Sequence, residues 1–418
     1  MRENMRDGIE FREIVKAEDG IIFSSTDGEG LYFWKSGEKM PVLLGYFPEA
    51  ALEQEMPYKA LARAGRKIIL PPCQAETIAI YDCEKRMFCE VPLEPLCEGQ
   101  KNLCKFWTSI AYQEQVYLIG HYYPAIVKMN IHTLETYYLT DWVVPIEKRR
   151  RLENSPYLGI GIVRESTAFF PCCCTNLILK MDLETDEITF CEIETQVKGF
   201  NGICYLEGKY WLTSRDTPAI VIWDESENRA ETVEVEKRKT CEGKVSFAPS
   251  LIYGKKLYLL PYRAAHAYCI DTSSADKKIQ RLEKLDPLFL LRQGEVFEGN
   301  MVTTPSLVDG KILFVTQKDM LWHIYAPDTD TVMDFSAQMD VSEYKRLKKR
   351  KLIRYVRNAM DKGDKIPVID EAESFSCEDL CSFISEYGNE IRTLYKTFKP
   401  CEKNAGQDIY HYITGRLK

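Results

Sequence analysis

Hydrophobic residues in this chain come in short runs of four to six, rich in Val, Ile, Tyr, Phe and Trp, with polar turns between them. The stretch 208–235, GKYWLTSRDTPAIVIWDESENRAETVEV, shows the plan most clearly. It reads as an apolar strand, a loop, a second apolar strand ending at Asp224, a polar turn and a third strand. Six other stretches repeat it, at 20–43, 66–91, 115–139, 167–193, 256–282 and 311–335. β-branched and aromatic residues suit a pleated, half-buried surface. Helical repeats of this length would need apolar positions at i, i+3, i+4 and i+7, and these runs do not supply them.

The third residue of each first apolar strand marks the repeat: Ile22, Ile69, Tyr117, Phe169, Trp211, Tyr258 and Leu313, spaced by 47, 48, 52, 42, 47 and 55 residues. A period of about 40–50 residues made of short strands predicts a β-propeller with four strands per blade. An inner strand precedes each marker, as at 109–112, 203–206 and 306–308, with the first at 11–17. The turns LEGK, YGKK and VDGK supply a Gly for the positive φ of a tight hairpin. Third strands fall at 77–82, 126–130, 177–182, 220–224 and 321–325. HTLE, LETDE, ESEN and PDTD then turn the chain into a polar outer strand suited to the rim. Residues 1–338 are therefore read as an all-β, seven-bladed propeller of four-stranded antiparallel blades. Whether the first and last blades exchange a strand stays open.

After Asp340 the pattern changes. Tyr344, Leu347, Leu352, Ile353 and Val356 recur at helical spacing, with seven Lys or Arg between 345 and 354. Ser376-Cys-Glu-Asp379 resembles a capping box ahead of LCSFISEYG, and GQDIYHYITGRL is a further short amphipathic segment. Residues 339–418 are expected to be a helical appendage packing on the propeller, since alone they have little core.

Charge and cysteine content narrow the classes. The net charge of −8 gives no global attraction to nucleic acid or to an anionic membrane, so neither is an expected partner. The N-terminal stretch lacks a signal-peptide core, and no apolar run approaches the roughly 18 residues of a membrane span. Fifteen cysteines, an odd number scattered through strands and loops, fit reduced thiols in a cytoplasmic protein. No metal-ligand spacing, phosphate-binding Gly loop or Gly-x-Ser-x-Gly elbow is present, so no cofactor, metal or catalytic residue is assigned. Cys377 and Cys381, four apart, and the run 172–174 are read as buried thiols.

Topology gives the better lead. In a propeller, the loops joining second to third strands share a face with the connections between blades, and that face surrounds the channel mouth. These loops place His121, Tyr122, Arg215, Asp216, Arg263, His266 and Lys318 around one ring, as candidate ligand-binding residues. Cations beside histidines suit an anionic or polyhydroxyl ligand. The interblade connections at 97–106, 145–156, 236–247 and 284–304 are long, as functional loops tend to be. The basic run Lys148-Arg-Arg-Arg151 lies in one of them.

GHYYPAIVKMN, FNGICYLEGKYWLTSRDTPAIVIWD and FAPSLIYGKKLYLLPYRAAHAYCID resemble a group of bacterial cytosolic propeller proteins with kelch-like or quinoprotein-like repeats. The likeness spans about 330 residues and implies architecture; it carries over no catalytic residues. Most blades lack the double-Gly kelch signature, and the Gly-His and Trp-Asp pairs of WD40 repeats are absent. The leading expectation is a non-enzymatic recognition module presenting its loop-rich face to a protein or peptide. The alternative is an enzyme or sensor acting on a carbohydrate or small anion at the channel mouth.

Overall fold

The computed structural model describes residues 9–96, 103–235, 245–274, 276–289 and 300–361. Parts of three long interblade connections, and the expected segments at 376–388 and 406–417, lie outside the described residues. The chain divides into two compact units, Met1–Met339 and Asp340–Lys418.

The first unit holds seven four-stranded antiparallel sheets, each built from one repeat in the order inner, second, third, outer. Blades 1 to 7 occupy residues 14–46, 62–92, 106–139, 162–192, 200–234, 251–281 and 306–335. Each of the seven marker residues is the third residue of its blade's second strand, so the sequence period and the structural period coincide. Second and third strands are buried almost throughout, as in Gln115–Gly120 and Ala219–Asp224, because neighbouring blades cover both faces. Outer strands such as Met87–Pro92 and Arg229–Glu234 alternate and are largely exposed.

Local chemistry repeats with the blades. The last residue of the third strand caps the following turn in blades 2 to 6. Asp82, Asn130, Asp182, Asp224 and Asp271 each accept backbone N–H bonds from residues just ahead, at 2.8–3.0 Å for the first bond of each set. Such Asx turns let the backbone reverse without leaving its amides unpaired. The hairpin at Glu207-Gly208 takes two consecutive positive φ values, 51° and 81°, which a Gly at the second position makes cheap.

Hydrophobic cores lie between blades. Successive clusters join blades 1 and 2 around Tyr58, 2 and 3 around Ile80, 3 and 4 around Trp142, 4 and 5 around Trp223, 5 and 6 around Phe247, and 6 and 7 around Phe314. Two connections expected to be long loops carry short helices: α1 (Val143–Glu147) and α2 (Asp286–Phe289), the latter preceded by a 3-10 turn at Glu283–Leu285. Their apolar residues explain this, since Ile146, Leu285 and Phe289 are wedged into interblade cores. In the second unit the described element is α3 (Val341–Asp361), the helix expected from the 344–356 pattern. Asp340 caps it, accepting from the Ser342 N–H at 2.9 Å.

Among the described residues no strand crosses from blade 1 to blade 7; an aromatic seam and a few hydrogen bonds close the ring. The first inner strand, Ile14–Lys16, is shorter than the expected 11–17 because Phe11 turns into the seam between these blades. Phe11 and Phe23 meet the Trp322 ring edge-on at 4.7 and 5.0 Å, and Trp34 meets it at 5.8 Å. Trp322 Nε1 donates to the Ile9 carbonyl, and the Ile9 N–H donates to Ala337 O at 3.0 Å. Replacing this buried ring leaves a cavity in the seam and removes the bond from Trp322 Nε1 to the Ile9 carbonyl. Trp322→Ala is expected to cost about 3–5 kcal/mol in denaturant unfolding, against near zero for Met87→Ala on an exposed outer strand. Equal midpoints for the two variants would show that the seam does not hold the ring.

Candidate functional site

Each interblade connection runs beside the start of a second-to-third-strand loop, as the bridges Tyr58 to Pro72, Leu158 to Cys172, Phe247 to Pro261 and Val302 to Thr316 record. Both sets of loops therefore share one face. From that face side chains of different blades converge on the axis. Trp107, at the start of the blade 3 inner strand, stacks on Tyr262 of blade 6 with centroids 6.4 Å apart and planes 10° apart. Lys59, on the connection into blade 2, places its ammonium 4.0 Å from the centre of the Trp107 ring. His121 of blade 3 packs edge-on against Trp107 at 4.4 Å and against Tyr122 at 5.2 Å. Gly120 fits this approach because a Cβ there would strike the Tyr123 and Ala125 carbonyl oxygens.

Blade 5 contributes Arg215, which donates from Nη1 to Asn201 Oδ1 at 3.2 Å and lies beside the Cys173 thiol of blade 4. Among the described residues its Nε–H has no acceptor, and neither has the Trp107 Nε1–H, although both atoms are shielded from solvent. Buried donors of this kind are rare, because each costs about 1–3 kcal/mol unless something accepts its hydrogen bond. Glu13, from the entry to blade 1, completes the group by facing Lys59 and Tyr262.

The electrostatics follow from dehydration. Burial, reinforced by the Arg215 and Lys59 charges, pushes the His121 imidazole well below its usual pKa, against the pull of the Leu158 carbonyl. His121 is therefore neutral at physiological pH. The Nδ1 contact with Leu158 O, at 2.6 Å, assigns its proton to Nδ1 and leaves Nε2 as the acceptor. Burial raises Glu13 to about 8, outweighing the attraction of Lys59, and lowers Lys59 in turn. Burial also pushes the Cys173 thiol up to about 11, the Arg215 charge opposing it.

Of the residues nominated from the sequence, His121, Tyr122 and Arg215 come together at this hub. Asp216 is taken up locally, accepting from the Lys198 N–H at 3.3 Å and from Ser214 Oγ at 3.2 Å. His266 is drawn towards α2, where Nδ1 lies 3.0 Å from Asp286 Oδ1 while Arg281 holds the other oxygen. Arg263 sits in the blade 6 loop, its N–H donating to Ser246 O at 3.0 Å. Lys318 lies beside His323 in blade 7. The residues that sequence reading missed, Glu13, Lys59 and Trp107, stand on inner strands or just ahead of them. Their signal was positional, since the start of an inner strand in a propeller points at the axis.

A second constellation does not qualify. In blade 7, His323 bonds Asp334 at 2.8 Å through Nδ1 and Thr316 Oγ1 at 2.8 Å through Nε2, the connectivity of a proton relay. The Thr316 hydroxyl is already committed as a donor to Asp319, and both Thr316 and His323 are 1% exposed. Among the described residues no group of three or more His, Cys, Asp or Glu is placed to hold a metal, and no helix is long and apolar enough to cross a membrane.

The pKa of Glu13 makes a pH prediction. Its carboxyl binds protons more tightly in the folded chain, about 8, than at its ordinary 4.5. The stability it contributes is full below the lower value and is lost as pH rises through the upper one. Glu13→Gln does not titrate, so its melting temperature relative to wild type should rise between about pH 5 and about pH 8. A difference independent of pH in parallel thermal melts would place the Glu13 carboxylate in water.

No protein-family model and no curated protein matches the chain. Solved structures do match. A virginiamycin B lyase from Staphylococcus aureus superposes with a TM-score of 0.51 at 11% identity, covering 75% of this chain and 93% of the lyase. A streptogramin B lyase gives 0.52 at 13% identity, covering 75% and 92%. A putative 6-phosphogluconolactonase from Bacteroides fragilis gives 0.51 at 10% identity, covering 79% and 94%. At such identities the likeness is one of fold: this chain is a seven-bladed β-propeller whose architecture is shared with enzymes of differing chemistry.

Proposed function

We propose that the chain is a recognition propeller whose hub binds a small anionic ligand, a carboxylate- or phosphate-bearing molecule, between Arg215 and Trp107. The observation that carries this reading is the pair of shielded N–H donors, Arg215 Nε and Trp107 Nε1, that no acceptor among the described residues satisfies. Arg215 supplies a charge-assisted donor, which binds oxyanions more strongly than neutral donors do. Neutral His121 adds an acceptor for a ligand hydroxyl, and the Trp107–Tyr262 pair adds a flat apolar wall. The reading is one of binding rather than turnover. A cytoplasmic setting, as in the kelch-like and quinoprotein-like bacterial propellers that the repeats resemble, agrees with ten described cysteines that carry free thiols.

The test is a thermal-shift panel of organic acids, sugar phosphates and inorganic phosphate. A ligand that binds the native state raises the melting temperature by mass action, by about 2.7 kcal/mol of stabilisation at a hundred times Kd. Arg215→Gln should remove the shift, and Trp107→Phe should weaken it. A shift that survives in Arg215→Gln would place the ligand elsewhere.

A groove on the same face favours a peptide partner as a second reading. It encloses about 1080 Å³ between blades 4 and 5, with Glu192, Glu194 and Glu234 against a single Arg151. That balance suits an extended peptide bearing Lys or Arg. Fluorescence anisotropy with labelled basic and acidic peptides should show binding of the basic set only, lost on Glu194→Lys with Glu234→Lys. Equal binding of both sets would exclude the groove.

A further inference from the structure

The hub contains a pair of thiols that anion binding does not use. Cys73 lies in the second-to-third-strand loop of blade 2, and Cys104 on the connection entering blade 3. The Lys105 N–H donates to the Cys73 carbonyl at 2.9 Å, so the two backbones run side by side one residue from Cys104. Lys105 Nζ fastens the same loop, donating to Gln74 O and Ala75 O, each at 2.9 Å. The two side chains lie close enough for each thiol to shift the other's acidity. Lys59, with its amine over Trp107, faces both sulfurs, with Arg12 and Glu13 beyond it. Cys73 is 1% exposed, whereas Cys104 is only half-buried.

We propose that Cys104 and Cys73 form a redox-active dithiol that reduces a small hydroperoxide and closes as a disulfide between blades 2 and 3. The inference stands independently of the anion site. The two sulfurs differ in access, and that difference assigns their roles: Cys104 is partly exposed and Cys73 is enclosed. The Cys73 thiol, and behind it the Lys59 and Lys105 ammonium groups, pull Cys104 below the ordinary thiol range against its burial. The neighbouring Cys104 and burial push Cys73 well above that range. Cys104 is the attacking sulfur and Cys73 the resolving one. As a thiol, Cys104 donates to the Phe106 carbonyl at 3.2 Å, a bond that its ionisation gives up.

The steps balance. Lys59, which burial pushes towards the free amine, takes the Cys104 proton and, as the ammonium so formed, holds the thiolate. The thiolate attacks the outer peroxide oxygen; the O–O bond breaks, and the departing alkoxide leaves as an alcohol with the proton from Lys59. Cys104 is now a sulfenic acid, oxidised by two electrons. The Cys73 sulfur displaces its hydroxyl, and water leaves with the Cys73 proton. Two thiols and one hydroperoxide give one disulfide, one alcohol and one water. Two equivalents of a small thiol restore the pair by exchange.

The exposed Cys89, on an outer strand, is an internal control for access alone. The reduced full chain is treated with limiting hydrogen peroxide and digested without reductant, and its peptides are weighed. The expected product joins the peptides containing Cys73 and Cys104, two hydrogens lighter than their sum, and forms about tenfold faster than oxidation of Cys89 at neutral pH. Cys73→Ser should stop at a Cys104 sulfenic acid that dimedone traps. Lys59→Gln should move the midpoint of Cys104 alkylation to higher pH. Oxidation of Cys89 ahead of Cys104, with no joined peptide, would overturn the proposal, as would an unchanged alkylation midpoint in a folded Lys59→Gln chain.

Discussion

Everything in this protein depends on the packing of one blade's face on the next. A four-stranded sheet of about 30 residues buries too little by itself to offset the entropy of ordering it. Its second and third strands are apolar on both sides and are covered only when a neighbour lies on each face. An open stack would leave its end blades with one face exposed, and closing the ring removes both ends. Closure among the described residues is an aromatic seam rather than a shared strand: Trp322 is surrounded by Phe11, Phe23 and Trp34, and the chain just before blade 1 is pinned to the chain just after blade 7.

Closing the ring has a chemical consequence at its axis. Seven inner strands must start near one line, and whatever their first side chains carry is forced into a small, poorly hydrated volume. Trp107 and Tyr262 stack across the axis, while Lys59, Glu13, Arg215, His121, Cys73 and Cys104 gather around them. In low dielectric, charges and hydrogen bonds act more strongly than in water. This one cause makes His121 neutral, raises Glu13, separates the two thiols in acidity and leaves two N–H donors without an acceptor among the described residues. The hub is a consequence of the wheel, not a motif placed on it.

The loop-rich face and the rim differ for the same reason. Outer strands alternate between covered and exposed positions and are tied by ion pairs such as Lys277–Glu231 between blades 5 and 6. Such pairs contribute little individually. The connections between blades are anchored by apolar wedges in α1 and α2, which leaves their polar residues at the surface to vary. The groove between blades 4 and 5 is built this way, from a connection and an outer strand rather than from the axis.

The chain's own pattern determined the repeat. A run of apolar β-formers, a turn-forming Asp or Asn at the end of the third strand and a polar outer strand are local features, and seven copies leave little freedom in architecture. Ile22 through Leu313 could each be assigned to a strand position because local alternation sets burial. His121, Tyr122 and Arg215 were also legible, since topology assigns their loops to one face. Lys59, Trp107, Glu13 and the Cys73–Cys104 pair were not. They come from separate repeats, up to about a hundred residues apart, and no local pattern distinguishes an axial lysine from a solvated one. Only closure of the ring decides which side chains meet at its centre, and only their meeting removes the water that would otherwise make them ordinary.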